Sequence, residues 1–217
     1  MAGPMSDQDV LGLLCAGGVV PVVVVEDADH VRGLGSALKR GGLPVAEVTF
    51  RTEASIRALR ALAADSDLLV GAGTVIRAQQ VDIARDAGAR FVVTPGFSQR
   101  VIERCRELGM PVIPGVSTAT EVIAALDHGC ELLKFFPAEA SGGAATIRAL
   151  QGPFPHVRFI PTGGVSAASA PVYLRLPSVV AVGGSWMVAP ELLREGDFAR
   201  VSRLTEEAVL VAAQARP

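Results

Sequence analysis

The feature that most constrains this chain is a repeated cadence of helix, glycine and short apolar run. Helix-like stretches end in Gly88, Gly109 and Gly129. Two residues follow each glycine, and then FVV begins at Phe91, VI at Val112 and LLKFF at Leu132. Gly42 leads to VAEVTF at Val45 in the same register. Glycine just past a helix end takes the left-handed conformation without a Cβ penalty. The runs are too short for buried helices and nearly continuous, which is how strands buried on both faces read.

Eight such runs occur, near residues 19–25, 45–50, 68–71, 91–93, 112–114, 132–136, 158–160 and 179–183. Segments of helical period separate them; Arg57, Leu59, Leu62 and Ala63 belong to one, and Val101, Ile102, Cys105 and Leu108 to another. Ser98 stands at one helix start. Thr118, with Glu121 three residues on, stands at another as a capping box. The stretch 191–215 reads as helical and belongs to an outer layer. No linker or composition break divides the chain. Eightfold alternation predicts parallel strands and a single (β/α)8 TIM barrel over 1–217, with an N-terminal helix. The competing open, doubly wound sheet would be favoured by G-x-G-x-x-G after the first strand, and none is there.

Composition narrows the function classes. Half of the 217 residues are hydrophobic and only 5% aromatic, so the core is aliphatic and the chain is not of the disordered type. A net charge of −2 leaves no basic footprint for nucleic acid. Cys15, Cys105 and Cys130 form no C-x-x-C pair, and an odd count fits a reducing cytoplasm. The start of the chain has no basic n-region and carries Asp7 and Asp9, so it does not read as a signal peptide. The apolar run 17–25 is far short of a bilayer span. His30, His128 and His156 are scattered without metal spacing, so no metal and no cofactor is expected.

In a barrel, chemistry sits at the C-terminal ends of the strands. Of 20 basic residues only Lys39 and Lys134 are lysines. Lys39 lies in a helix tail, SALKRGG, where a solvated cation is expected. Lys134 lies amid Leu132, Leu133, Phe135, Phe136 and Pro137. Burial disfavours an ammonium, and a neutral amine is a nucleophile able to form a Schiff base with a carbonyl. The alternatives are a strand-end lysine snorkelling to solvent or one paired with a carboxylate. Glu47 shares a strand face with Thr49 and Arg51. It suits general acid–base work, or else a structural ion pair with Arg51 or Lys134. Arg51 offers a fork matching carboxylate or phosphate, or a surface ion pair with Glu53. Gly163–Gly164 follows the seventh run and Gly183–Gly184–Ser185 the eighth. Barrels often bind a substrate phosphate between these two loops, whereas either pair alone would be an ordinary tight turn.

The strand-end segments EVTFRTEAS (47–55), GAGTV (71–75), TPGFS (94–98), PVIPGVST (111–118), LLKFFPAEASGG (132–143), GPFPHVRFIPTGGVS (152–166) and VGGSWMV (182–188) resemble the 2-keto-3-deoxy-6-phosphogluconate (KDPG) aldolases, also described as bifunctional with 4-hydroxy-2-oxoglutarate (KHG) aldolase. The resemblance runs in order along nearly the whole chain. It implies a class I, metal-independent lyase, usually a homotrimer, that releases pyruvate and glyceraldehyde 3-phosphate in the Entner–Doudoroff pathway. By the resemblance, Lys134 forms the imine and Glu47 is the general acid–base. Arg51 and Thr74 hold the pyruvate carboxylate, and Pro95 and Phe136 shape the pyruvate pocket. Thr162, Gly163, Gly164, Gly184 and Ser185 face the phosphate. Phe50 departs from the family pattern, where an aliphatic residue is common. Phe97 and Ser98 stand where Leu and Thr are frequent, which bears on substrate breadth. Implied partners are a phosphorylated keto acid and pyruvate, with no nucleic acid and no membrane. Two other readings keep the barrel: a 6-phosphogalactonate-specific or mainly 4-hydroxy-2-oxoglutarate enzyme, and a non-catalytic sugar-phosphate-binding barrel.

Overall fold

The computed structural model describes residues 7–216. Helix α1 (Asp7–Ala16) leads into strands β1 (Val19–Val23), β2 (Val45–Thr49), β3 (Leu69–Gly73), β4 (Val92–Val93) and β5 (Val112–Ile113). Then come β6 (Gly115–Val116), β7 (Leu132–Phe135), β8 (Arg158–Pro161) and β9 (Val182–Gly184). The helices between and after them are α2 (Leu34–Arg40), α3 (Ser55–Ala63), α4 (Ala78–Asp86), α5 (Gln99–Glu107), α6 (Ala119–Asp127), α7 (Gly143–Gln151), α8 (Ala170–Leu174), α9 (Pro190–Glu195) and α10 (Phe198–Ala215).

All strand pairs are parallel. One sheet runs β5-β4-β3-β2-β1-β9 and the other β6-β7-β8. β5 falls in the run expected at 112–114, whereas β6 lies just beyond it; the two are parted by Pro114, which has no N–H to give to a ladder. Parallel bridges between Phe159 and Val179 and between Thr162 and Gly183 connect β8 to the β9 side. The curled sheet is therefore a TIM-type barrel of eight strand positions. Val20, Glu47, Phe91, Val93, Ile113, Lys134, Ile160 and Thr162 meet in its interior with Leu14 of α1, around a void of only about 10 Å³. This is a packed core rather than a pore.

Several boundaries differ from the sequence expectation. The third strand covers 69–73, so it runs two residues past the expected end and takes in Gly73 as well as Gly71; likewise Gly183 and Gly184 lie inside β9. Glycine weakens strand propensity and so reads as loop, but close packing requires it here: a Cβ on Gly71 would overlap the Phe91 ring. The eighth run begins at Val182, because Val179 makes only an isolated bridge. The C-terminal helical stretch is two helices, broken at Gly196 with φ +69°. Ser98 precedes α5 but makes no side-chain cap. Thr118 and Glu121 form the expected box, with the Glu121 N–H donating to Thr118 Oγ1 and the Thr118 N–H to Glu121 Oε2. Lys39 is not a free cation; it pairs with Asp65 at 2.5 Å and, through that hydrogen bond, holds the Asp65 carboxyl below its usual range. Cys15, Cys105 and Cys130 are free thiols. Burial pushes the Cys15 thiol up to about 11 and the Cys105 thiol up to about 12.

Candidate active site

Lys134 sits on β7 between β6 and β8, opposite Gly115 and Ile160. Its N–H donates to Pro114 O at 2.9 Å, so the broken strand fixes its height in the barrel. The residue is 4% exposed. Its Nζ lies 3.1 Å from Glu47 Oε1 and 5.2 Å from the centre of the Phe136 ring. Glu47, on β2 and 3% exposed, has no other hydrogen-bond partner among the described residues. A buried ion pair of this kind is weak evidence for stability, because desolvation opposes the attraction. Of the sequence alternatives, the ion pair of Glu47 with Lys134 is present, and Lys134 does not snorkel to solvent.

Glycine makes the room. A Cβ on Gly73 would overlap the Glu47 carboxylate, coming within 2.7 Å of its Cγ and 2.8 Å of its Cδ. A Cβ on Gly115 would overlap the Pro95 backbone, and one on Gly183 would overlap the Thr162 side chain.

Above the pair opens a cavity of about 460 Å³. Of the residues expected at a site, Arg51, Lys134, Phe136, Thr162, Gly163, Gly164, Gly184 and Ser185 line it. Glu47 joins from below through Lys134. Thr74 and Pro95 are half-buried at neighbouring strand ends and fall outside this lining. Thr74 is nevertheless distinctive. Its φ of +58° is the only positive value at a non-glycine residue among those described, and a β-branched residue is an outlier there. Arg51 is exposed, and its guanidinium makes no ion pair among the described residues, which removes the Glu53 alternative.

The loop carrying Arg51 is tied down by hydroxyls. Thr49 donates to Val23 O at 3.0 Å and Ser55 to Thr49 O at 2.7 Å; Thr52 donates to Val25 O. Thr94, fully buried, donates to Gly96 O at 2.7 Å and accepts from the Gly115 N–H at 3.0 Å, replacing a ladder bond at the seam beside β6. Glu139 also lines the cavity, and sequence reasoning gave it no role. Its position inside KFFPAEA was the available signal. Among the described residues no group of three His, Cys, Asp or Glu side chains converges to hold a metal ion. His128 closes α6, its Nδ1 2.9 Å from Ala124 O, with its ring edge-on to Phe97.

A family model for KDPG and KHG aldolase matches residues 12–204. The chain belongs to the KDPG and KHG aldolase family. The KHG/KDPG aldolase of Escherichia coli is 44% identical over 198 residues, covering 91% of this chain and 93% of that one. The KDPG aldolase of Legionella pneumophila, solved with pyruvate captured as a covalent carbinolamine intermediate, superposes with a TM-score of 0.88 at 37% identity, over 92% of this chain and 97% of that one. The KDPG aldolase of Zymomonas mobilis, solved with 3-phosphoglycerate, gives 0.86 at 37% identity, over 94% and 96%.

Proposed function

We propose that this member of the family is a class I aldolase that cleaves 2-keto-3-deoxy-6-phosphogluconate to pyruvate and glyceraldehyde 3-phosphate, and also 4-hydroxy-2-oxoglutarate to pyruvate and glyoxylate. The observation that carries the reading is the buried Lys134–Glu47 pair opening onto one cavity that ends at the Gly163–Gly164 turn and at Gly184 and Ser185 where β9 ends. The pyruvate carbinolamine in the Legionella relative and the phosphorylated ligand in the Zymomonas relative support it.

The Lys134 amine adds to the C2 carbonyl, and loss of water gives a protonated imine. Cleaving C3–C4 leaves an electron pair that the imine accepts as an enamine, while Glu47 takes the C4 hydroxyl proton and the aldehyde departs. The enamine then takes a proton at C3, and water releases pyruvate and regenerates the amine. Arg51 and Thr74 hold the pyruvate carboxylate, Pro95 and Phe136 bound its methyl side, and Thr162, Gly163, Gly164, Gly184 and Ser185 receive the phosphate. Holding both ends places the reacting bond beside Lys134, and such positioning contributes several kcal/mol. The protein acts as a cytoplasmic homotrimer, a reading supported by the free cysteines and by the exposed apolar side chains of Ile76, Ile83 and Ile123. Sedimentation at monomer mass would remove the trimer.

Borohydride reduction in the presence of pyruvate is expected to add one stable mass, on Lys134, and Lys134→Met to release no pyruvate in a lactate-dehydrogenase-coupled assay. Turnover without an adduct at Lys134 would sink the mechanism. Comparing kcat/KM for the two C4 epimers of the phosphorylated acid and for 4-hydroxy-2-oxoglutarate fixes the preferred substrate.

A further inference from the structure

Gly163 and Gly164 are consecutive and both left-handed, with φ of +98° and +82°. Neither has a side chain that could hold the turn in shape, and glycine is the residue with most backbone freedom to lose. The turn is held from outside, by Glu139. The Glu139 N–H donates to Gly163 O at 3.1 Å. Its side-chain stem lies over Gly164, where a Cβ would come within 2.8 Å of its Cβ and 2.6 Å of its Cγ. Its carboxylate accepts a 2.7 Å hydrogen bond from the hydroxyl of Tyr173.

Tyr173 is the only tyrosine of the chain. It belongs to α8, is 2% exposed, and reaches from the core to the rim of the cavity. A buried phenol requires a partner for its hydroxyl, and here the partner is a carboxylate on the cavity wall. Burial, reinforced by the hydrogen bond to Glu139, pushes the hydroxyl above the usual tyrosine range, so it stays a donor throughout the assayable range of pH.

We propose that Tyr173 is a positioning residue: by clamping Glu139 onto the Gly163–Gly164 turn it presets the phosphate end of the cavity. The inference rests on the functional reading above, which assigns that end to phosphate. The clamp works in two ways with the same sign. It fixes the backbone N–H groups of the turn before the ligand arrives. It also occupies one oxygen of a carboxylate that, once freed, would swing beside an incoming dianion and repel it.

Steady-state kinetics on the full chain tests this, with KM for the phosphorylated substrate set against the pyruvate concentration that half-saturates deuterium exchange into the pyruvate methyl group. Exchange uses the imine and enamine but not the phosphate end. Tyr173→Phe is expected to raise KM about tenfold, the scale of one hydrogen bond to a charged group. kcat should stay within about twofold, and half-saturation for pyruvate should not move. Glu139→Ala, which frees the turn but leaves no carboxylate to repel the phosphate, should raise KM by less; the double variant should match Glu139→Ala alone, and Glu139→Gln, whose amide oxygen still accepts from Tyr173, should recover most of that loss. Glu139 is exposed, so its variants keep the test open if Tyr173→Phe folds poorly. An unchanged KM in Tyr173→Phe and Glu139→Ala overturns the clamp, as does an equal loss toward both ligands, which marks a merely structural role. Failure of the unmodified protein to trap pyruvate on Lys134 instead overturns the functional reading itself.

Discussion

Two sets of glycines at opposite ends of the barrel are required for opposite reasons. At the end where helices hand over to strands, Gly109 and Gly129 have φ of +60° and +65° and nothing within 4 Å of an added Cβ. Space is free there, and the backbone angle is what a side chain would resist. At the other end, Gly73, Gly115 and Gly183 have φ values any residue adopts, but no room. Glycine at the first end shapes the chain; at the second it makes volume for Glu47, Thr162 and the Pro95 backbone. One residue type thus sets backbone shape at one pole of the barrel and makes room for side chains at the other.

Substitutions can break that contrast. The largest expected effect is at the carboxylate itself: Glu47→Gln should lower kcat by about 10²-fold or more if Glu47 moves the C4 proton. Near-normal turnover would remove it from that role. Gly73→Ala forces Glu47 off its 3.1 Å contact with Lys134. Misplacement by about 1 Å costs on the order of 10²-fold, and overpacking about 1–3 kcal/mol besides. Gly109→Ala, at the opposite pole, should cost about 1 kcal/mol of stability in a denaturant titration and leave kcat unchanged. If the two glycine substitutions shift activity alike, the division of labour is wrong.

The smallest expected effect concerns Glu121. Burial would raise its carboxyl, but hydrogen bonds from Ser117 and Thr118 outweigh that and hold it below the usual range. A group whose folded value lies below its unfolded one stabilises above the unfolded value and stops doing so as pH falls through the folded one. Glu121→Gln should therefore cost about 0.5 kcal/mol at pH 7. The difference from the unsubstituted protein should begin to shrink below about pH 4.3 and vanish only once pH has fallen below the folded value. A gap that persists in acid would mean that the charge is not what stabilises.

The alternation of runs and helix-ending glycines was legible because both follow from local physics. Gly42, Gly88, Gly109 and Gly129 all take the left-handed conformation expected of them. The interior strand glycines were not legible as strand, since what requires them is Phe91, Glu47 and Thr162 arriving from elsewhere in the chain. Pro114 was visible, but the apolar run around it hid the break it imposes. Lys134 stood out because it lies amid an apolar run and only one other lysine competes with it. Glu139 and Tyr173 were missed as a pair because 34 residues separate them, and only the packing of α8 under the cavity rim brings them together.

Thr74 holds a further consequence. A β-branched residue at φ +58° carries a backbone penalty of about 1–3 kcal/mol. Any scheme that ranks substitutions by thermostability will favour glycine or asparagine at this position, and such a variant would melt later. It would also discard the hydroxyl and methyl that the strained backbone holds at the strand end. For a protein engineer, position 74 would separate robustness from activity if Thr74 holds the substrate carboxylate as proposed, because a stabilising change would then fall where the scaffold is strained.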